Sequence, residues 1–284
     1  MPFKILKTEK LNSVTNLFEI EAPFIARAAR AGQFVMLRIN ETGERIPLTI
    51  AKKNESPETI TIIFQEAGKT TRQLAALKEG GAITDLIGPL GRPTDFSKAG
   101  KVLFIGGGVG TAEILPVIRY AADNANEISV IIGARSKELV ILESDIRPLA
   151  GKLIVTTDDG SYGRKGFVTD AARELMASEK FDLVYTVGPD VMMKAVCAVT
   201  KEFGVKTLVS LDANMVDATG MCGTCRVIVG GKTKFTCVDG PEFDGHLVDW
   251  DDFLNRQKRF NREEKVSLGK YEHDCKCGRR KKNE

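Results

Sequence analysis

Three thiols carry the clearest chemistry in this chain: Cys222-Gly-Thr-Cys225, and Cys237 after eleven further residues. Thiolates two residues apart can grip one metal from a tight turn, and the glycine between them relieves crowding. Zinc and iron–sulfur sites share this pattern. Plant-type [2Fe–2S] sites use the spacing C-x4-C-x2-C with a distant fourth cysteine. Here Asp217 takes the first of those places, so the spacing is kept while the donor changes from sulfur to oxygen. Asp217, Cys222, Cys225 and Cys237 are the candidate metal ligands, with Cys275 or Cys277 in the tail as the competing source of a fourth donor. A secreted disulfide framework would spread its cysteines through a short chain, whereas close spacing in a reducing compartment reads as metal ligation.

Two glycine-rich turns and one strand could receive a phosphate-bearing ligand. Gly106-Gly107-Gly108-Val109-Gly110-Thr111 follows an apolar run and opens a helical one. Glycine there lets the backbone approach a pyrophosphate, and a helix start favours its charge. The spacing departs from G-x-G-x-x-G, and the next strand runs into Gly133-Ala134-Arg135 rather than ending in a ribose-binding acid. Gly68-Lys69-Thr70-Thr71 offers amides, hydroxyls and a cation ahead of a helical stretch, and a plain capped helix has the same appearance. Arg45-Ile46-Pro47-Leu48-Thr49-Ile50 sets a forked cation, a φ-locked proline and a hydroxyl within five residues. That group suits a phosphate and a polar ring atom, and equally an ordinary edge strand. Acid–base catalysis finds little support. The two histidines, His246 and His273, both lie near the C-terminus, and the adjacent Asp158 and Asp159 point to opposite faces of an extended chain. Met192-Met193 reads as core filling.

The elements that must hold these residues fall into three textures. Residues 1–97 are short β-branched runs separated by turns, the pattern of a small barrel. Residues 98–212 alternate apolar strands, such as 101–105 and 128–132, with helical stretches, the pattern of a doubly wound parallel sheet. Residues 213–250 form a cysteine-bearing module, and 251–284 a basic segment that reads as a solvated terminus. From Asn255 onward there are eleven Lys or Arg against five Asp or Glu, so the rest of the chain is net acidic. Over the whole 284 residues the net charge is only +3 with 43% apolar content, which excludes disorder and does not call for nucleic acid. No apolar run is long enough to span a bilayer, and the first residues lack a secretory signal pattern, so the cytoplasm is the expected compartment.

The segments 45–50, 68–71, 88–91, 106–111 and 187–190 occur in the order seen in the ferredoxin–NADP reductase superfamily, which the chain resembles over nearly all of residues 1–260. Within it, residues 215–226 and 237–248 resemble the electron-transfer subunits of dihydroorotate dehydrogenase, and more closely the small subunits of NADH-dependent reduced ferredoxin:NADP oxidoreductases. The resemblance implies FAD on the barrel, NAD(H) on the α/β domain and a [2Fe–2S] cluster on the C-terminal module. Carried over, Arg45, Pro47, Leu48 and Thr49 line the flavin and its phosphates, and Gly68, Lys69, Thr70 and Thr71 meet its pyrophosphate. Gly107, Gly108 and Gly110 face the nicotinamide nucleotide, helped by Asp158 and Gly188. The implied activity is electron transfer between NAD(H), FAD and the cluster, beside a larger flavin and iron–sulfur subunit. Ferredoxin is then reached indirectly, and electron bifurcation is left open. Delivery to dihydroorotate dehydrogenase or to a sulfide dehydrogenase/sulfur reductase is the alternative within this class. A non-redox zinc-binding module is the alternative outside it.

Overall fold

The structure, a computed structural model, describes residues 2–96, 98–124 and 126–280, the last six of these as backbone. The β-branched runs form β1 (Phe3–Lys10), β2 (Thr15–Glu21), β3 (Phe34–Arg38), β4 (Arg45–Glu55), β5 (Glu58–Gln65), β6 (Ala82–Ile83) and β7 (Asp85–Leu90), with the short helices α1 (Pro23–Ala28) and α2 (Lys69–Ala75). They form one antiparallel sheet in the order β6-β1-β2-β5-β4-β3-β7. Its edge strands, β6 and β7, are separated in sequence by Thr84 alone, so the sheet curls until its edges meet, a nearly closed barrel. Ile5, Ile20, Val35, Leu37, Ile60 and Ile62 are fully buried and fill it. In β4 the two-residue period sends Ile46 and Leu48 toward that filling and leaves Arg45, Pro47 and Thr49 on the other face.

From Lys101 the pattern changes to β8 (Lys101–Gly107), α3 (Gly110–Asp123), β9 (Glu127–Ala134), α4 (Glu143–Ile146), β10 (Lys152–Thr157), β11 (Arg164–Lys165), α5 (Val168–Ser178), β12 (Leu183–Val187), α6 (Asp190–Glu202) and β13 (Thr207–Ser210). These strands run parallel in the order β11-β10-β9-β8-β12-β13. The chain winds one way from β8 and the other way from β12, so a crevice opens at the carboxyl ends of those two strands. Open α/β sheets bind ligands at such a switch point. The apolar runs are continuous because both faces are covered: Val102, Phe104 and Val130 pack on one side, Leu103, Ile105 and Ile131 on the other.

The cysteine-bearing segment is woven into this sheet. β14 (Arg226–Val229) and β15 (Lys232–Phe235) form a hairpin, α7 (Thr236–Asp239) carries Cys237, and β16 (Glu242–Asp244) pairs antiparallel with β13 at the sheet's end. α8 (Trp250–Gln257) buries Trp250 and Phe253 in the core that holds Cys225 and Cys237. The described side chains of the basic segment are mostly exposed. It forms α9 (Asn261–Arg280), which returns to the barrel and pairs Glu272 with Arg72 of α2, a contact across 200 positions that no local pattern announces. No helix among the described residues is long and apolar enough to cross a membrane.

Candidate functional site

The ligand candidates gather in two pairs. The loop over residues 217–225 curves through left-handed backbone at Ala218, Gly220 and Gly223. Asp217 closes it, its carboxylate accepting from the Thr219 N–H at 2.8 Å and the Cys222 N–H at 2.9 Å. These bonds, Thr219's foremost, hold the carboxyl below its usual range, and an ionised carboxylate retains free lone pairs beyond the two in use. Cys222 is exposed at the tip. Partial burial raises its thiol, but bonds from Thr224 and the Asp217 backbone outweigh that and leave it below its ordinary value.

The second pair is buried. The N–H and hydroxyl of Thr236 both bond the Cys225 carbonyl, at 3.1 and 2.9 Å, which sets α7 beside the loop and brings the Cys237 and Cys225 Sγ atoms to 3.2 Å. Burial, with the Cys225 contact, pushes the Cys237 thiol up to about 12. Two thiolates each about 2.3 Å from one tetrahedral metal lie about 3.8 Å apart, so a small rotation converts this pair into ligands. Among the described residues no three His, Cys, Asp or Glu side chains are gathered for a single ion. Asp217 thus lies beside Cys222, and Cys225 beside Cys237. The side chains of Cys275 and Cys277 lie outside the described residues.

On the barrel, Arg45, Pro47 and Thr49 share an open face of β4, whereas Leu48, expected beside them, packs toward the barrel core. The turn before α2 already holds an anion of the protein's own. Thr70 Oγ1 and Lys69 Nζ lie 2.6 and 3.1 Å from the Glu44 carboxylate, and these bonds, Thr70's first, lower its pKa. Thr71 shapes the turn instead, its hydroxyl accepting from the Ala67 and Gly68 N–H groups, both at 3.0 Å. A Cβ on Gly68 would meet nothing within 4 Å, so the front of the turn is open.

In the crevice the glycines divide their work. A Cβ on Gly108, at φ +57°, would meet nothing within 4 Å, so this residue faces free space. A Cβ on Gly110 would stand 2.5 Å from the Val187 carbonyl oxygen, so its absence lets α3 close onto β12. Gly107 and Gly188 make room for Met192, whose Sδ and Cε would lie 2.3 and 2.7 Å from their Cβ atoms; Met192 therefore bridges the ends of β8 and β12. The Thr186 hydroxyl at the end of β12 is buried with no hydrogen-bond partner among the described residues. Asp158 follows β10 and is exposed, while Asp159 is engaged with the Ser161 N–H and hydroxyl at 2.9 and 2.7 Å.

The barrel and the parallel sheet meet at these motifs. The Thr49 hydroxyl of β4 donates to Glu113 Oε2 in the first turn of α3, at 3.2 Å. Desolvation first, then Asp212, pushes the Glu113 carboxyl up to about 8; desolvation and Asp190 push Asp212 to about 6. Glu113 is half-buried and Asp212 exposed. The sequence reading did not single out either acid. The available signal was a carboxylate in the first turn of a helix whose start should face a pyrophosphate. On the other side of β4, its neighbour β3 sets Phe34 opposite Thr49 and Met36 opposite Pro47, and Phe34 and Met36 share a core with Cys225 and Cys237. One strand thus separates the open face of β4 from the buried thiols. The following loop fastens the arrangement, with the Arg92 N–H donating to the Gly240 carbonyl at 2.7 Å and the Thr94 hydroxyl to Glu242.

Comparison with known proteins agrees with this division. A family model of the iron–sulfur cluster binding domain of dihydroorotate dehydrogenase B matches residues 212–249, and one of the oxidoreductase NAD-binding domain matches residues 104–198. A dihydroorotate dehydrogenase B (NAD(+)) electron transfer subunit homolog of Thermotoga maritima is 44% identical over 268 residues, covering 94% of this chain and 95% of its own length. An uncharacterized protein of Clostridium beijerinckii is 45% identical over 271 residues, 92% of each chain. A solved structure of NADH-dependent reduced ferredoxin-NADP oxidoreductase superposes with a TM-score of 0.91 at 43% identity, covering 95% of this chain and 98% of that one. A cytochrome P450 reductase of Amycolatopsis, at 21% identity and a TM-score of 0.61 over 71% of this chain and 65% of its own, shares the fold. The chain belongs to the family of dihydroorotate dehydrogenase B-type electron-transfer subunits, oxidoreductase subunits with a ferredoxin–NADP reductase-like fold and NAD- and iron–sulfur-binding domains.

Proposed function

We propose that the chain passes electrons between NAD(H), FAD and a [2Fe–2S] cluster as one subunit of a heteromeric ferredoxin:NADP oxidoreductase. The pairing of β3 with β4 carries this reading, because it sets the open flavin face one strand from the core that holds Cys225 and Cys237. On this reading residues 1–97 hold the flavin, 98–212 the nicotinamide nucleotide and 213–250 the cluster. The basic segment that follows meets the barrel through the Arg72–Glu272 pair of α2 and α9. A bound flavin accepts two electrons as hydride and passes them on singly, which suits a place between nicotinamide and a cluster. The chain's own part is positioning. Lys69, Thr70 and the open front of Gly68 hold the pyrophosphate, Arg45 offers a second forked cation, and Thr49 presents a hydroxyl to the ring. Gly108 lets the nicotinamide nucleotide approach at the switch point, while Met192 closes the crevice floor. Asp217, Cys222, Cys225 and Cys237 would hold the cluster.

A second phosphate has a place at the α2 turn, so anaerobically purified protein is expected to be yellow-brown and to release FAD on acid treatment. A dominant FMN peak on chromatography refutes the flavin assignment, and a colourless zinc-bearing protein refutes the redox reading altogether. NADH is the expected nucleotide. Asp158, at the carboxyl end of β10, can accept the ribose 2′-hydroxyl and repel a 2′-phosphate, and this outweighs the pull of Arg135 at the end of β9. Flavin reduction with NADH should show a kcat/KM well above that with NADPH, and equal values refute the role of Asp158.

The partner on this reading is a larger flavin and iron–sulfur subunit, through which electrons reach ferredoxin. Exposed Val216, Met221 and Val238 ring the Cys222 loop, an apolar collar that supports docking of another protein there. The name carried by the Thermotoga relative supports delivery to dihydroorotate dehydrogenase as a second reading. Activity of the co-purified complex with dihydroorotate, or with ferredoxin and NADP, separates the two.

A further inference from the structure

Glu113 stands where three parts of the chain meet. Its carboxyl accepts from Thr49 of the barrel, sits in the first turn of α3, and faces Asp212 beyond β13. Tyr185 of β12 also acts on this site, its phenol donating to Glu242 of β16 at 2.8 Å, and Asp190 of α6 lies behind Asp212. None of these neighbours is a cation. A negative charge arriving here has no positive side chain among them to offset it, and burial strengthens its effect. On the functional reading above, Thr49 faces the flavin ring. A hydride passing to that ring breaks a C–H bond of the nicotinamide and forms an N–H bond. It leaves the nicotinamide as a cation free to depart, and the ring one unit more negative.

We infer that Glu113 is a proton-holding, positioning residue of the flavin site: its carboxylate takes one proton from water as the ring gains the hydride. It returns that proton, with the ring's own N–H proton, to water as the two electrons leave singly for the iron–sulfur cluster. The inference rests on the flavin reading of the barrel. Desolvation and Asp212 already lift the carboxyl to about 8, and a negative ring beside it lifts it further. Below that value Glu113 is neutral in both redox states. Above it, the oxidised site holds a carboxylate and the reduced site a carboxylic acid.

The test is the pH dependence of the flavin midpoint potential in the FAD-loaded full-length protein, beside Glu113→Gln, whose amide oxygen can still accept from Thr49. Above pH of about 8 the wild-type potential should fall by about 59 mV per pH unit, two protons accompanying two electrons. The variant should fall by about 30 mV, since tenfold in concentration is worth 29.6 mV for a two-electron couple. The wild-type protein alone supplies a second readout: a protonated-carboxyl stretch should appear in the reduced-minus-oxidised infrared spectrum above pH of about 8. Parallel slopes, or no such band, overturn the inference while FAD binding and its reduction by NADH leave the functional reading standing. Failure to bind FAD overturns the reading and the inference with it.

Discussion

Changing Asp217 to cysteine should leave the iron–sulfur cluster in place but shift its midpoint potential and EPR spectrum, while Asp217→Ala should lose most of its iron. The spacing from 217 to 225 already matches the plant-type pattern, so a thiolate at 217 needs no rearrangement of the loop. Exchanging oxygen for sulfur changes the ligand field on one iron, one of the main levers a protein has on cluster potential. Alanine does two kinds of damage. It removes a ligand and it strips the acceptor from the Thr219 and Cys222 N–H groups, which then lose the bonds that shape the loop. Changing Cys275 and Cys277 together to serine should alter neither iron content nor spectrum. Loss of the cluster in that double variant, with a normal cluster in Asp217→Ala, would move the fourth ligand to the tail.

A second large effect is expected from a single methyl group at Gly110. Its Cβ would meet the Val187 carbonyl oxygen at 2.5 Å and the Gly188 Cα at 2.8 Å, both backbone atoms that cannot swing aside. α3 must then lift from β12, and overpacking of this kind costs about 1–3 kcal/mol. For a chain of this size Tm should fall by roughly 2–10 °C, and NADH binding should weaken with it because the crevice floor moves. Gly108→Ala makes the contrast. Nothing lies within 4 Å of its Cβ, and its left-handed φ of +57° carries a penalty of only about 1–2 kcal/mol. Its methyl group points instead into the space assigned to the nucleotide. NADH affinity should therefore fall further, relative to the change in Tm, at 108 than at 110. Melting curves and NADH titrations on the two variants read both quantities, and equal ratios would remove the division of labour between the glycines.

Much of this was legible because it is local. The cysteine spacing, the glycine turn after an apolar strand, and the change from two-residue alternation to strand-and-helix alternation each need only a short window. Leu48 lies on the opposite face of β4 from Pro47 and Thr49, as the two-residue period of a strand already predicts. β16 was not legible, because three residues are too few to display a period and its partner β13 lies more than thirty positions earlier. Glu113 was hidden for a related reason. Its chemistry comes from Thr49, 64 positions away, and from Asp212 beyond β13, and no window of sequence holds all three.

The ladder between β13 and β16 bears on how electrons travel. Where an iron–sulfur domain hangs from a tether, transfer waits on a diffusive search, and the rate follows solvent viscosity and linker length. Here the thiols of Cys225 and Cys237 are held in the same mechanical frame as the nucleotide sheet and, through Phe34 and Met36, as the barrel. No swing separates donor from acceptor within the chain, so distance and driving force set the internal step. On the proposed function, the encounter that must be waited for is displaced outward, to the exposed collar around Met221 where we propose the partner docks.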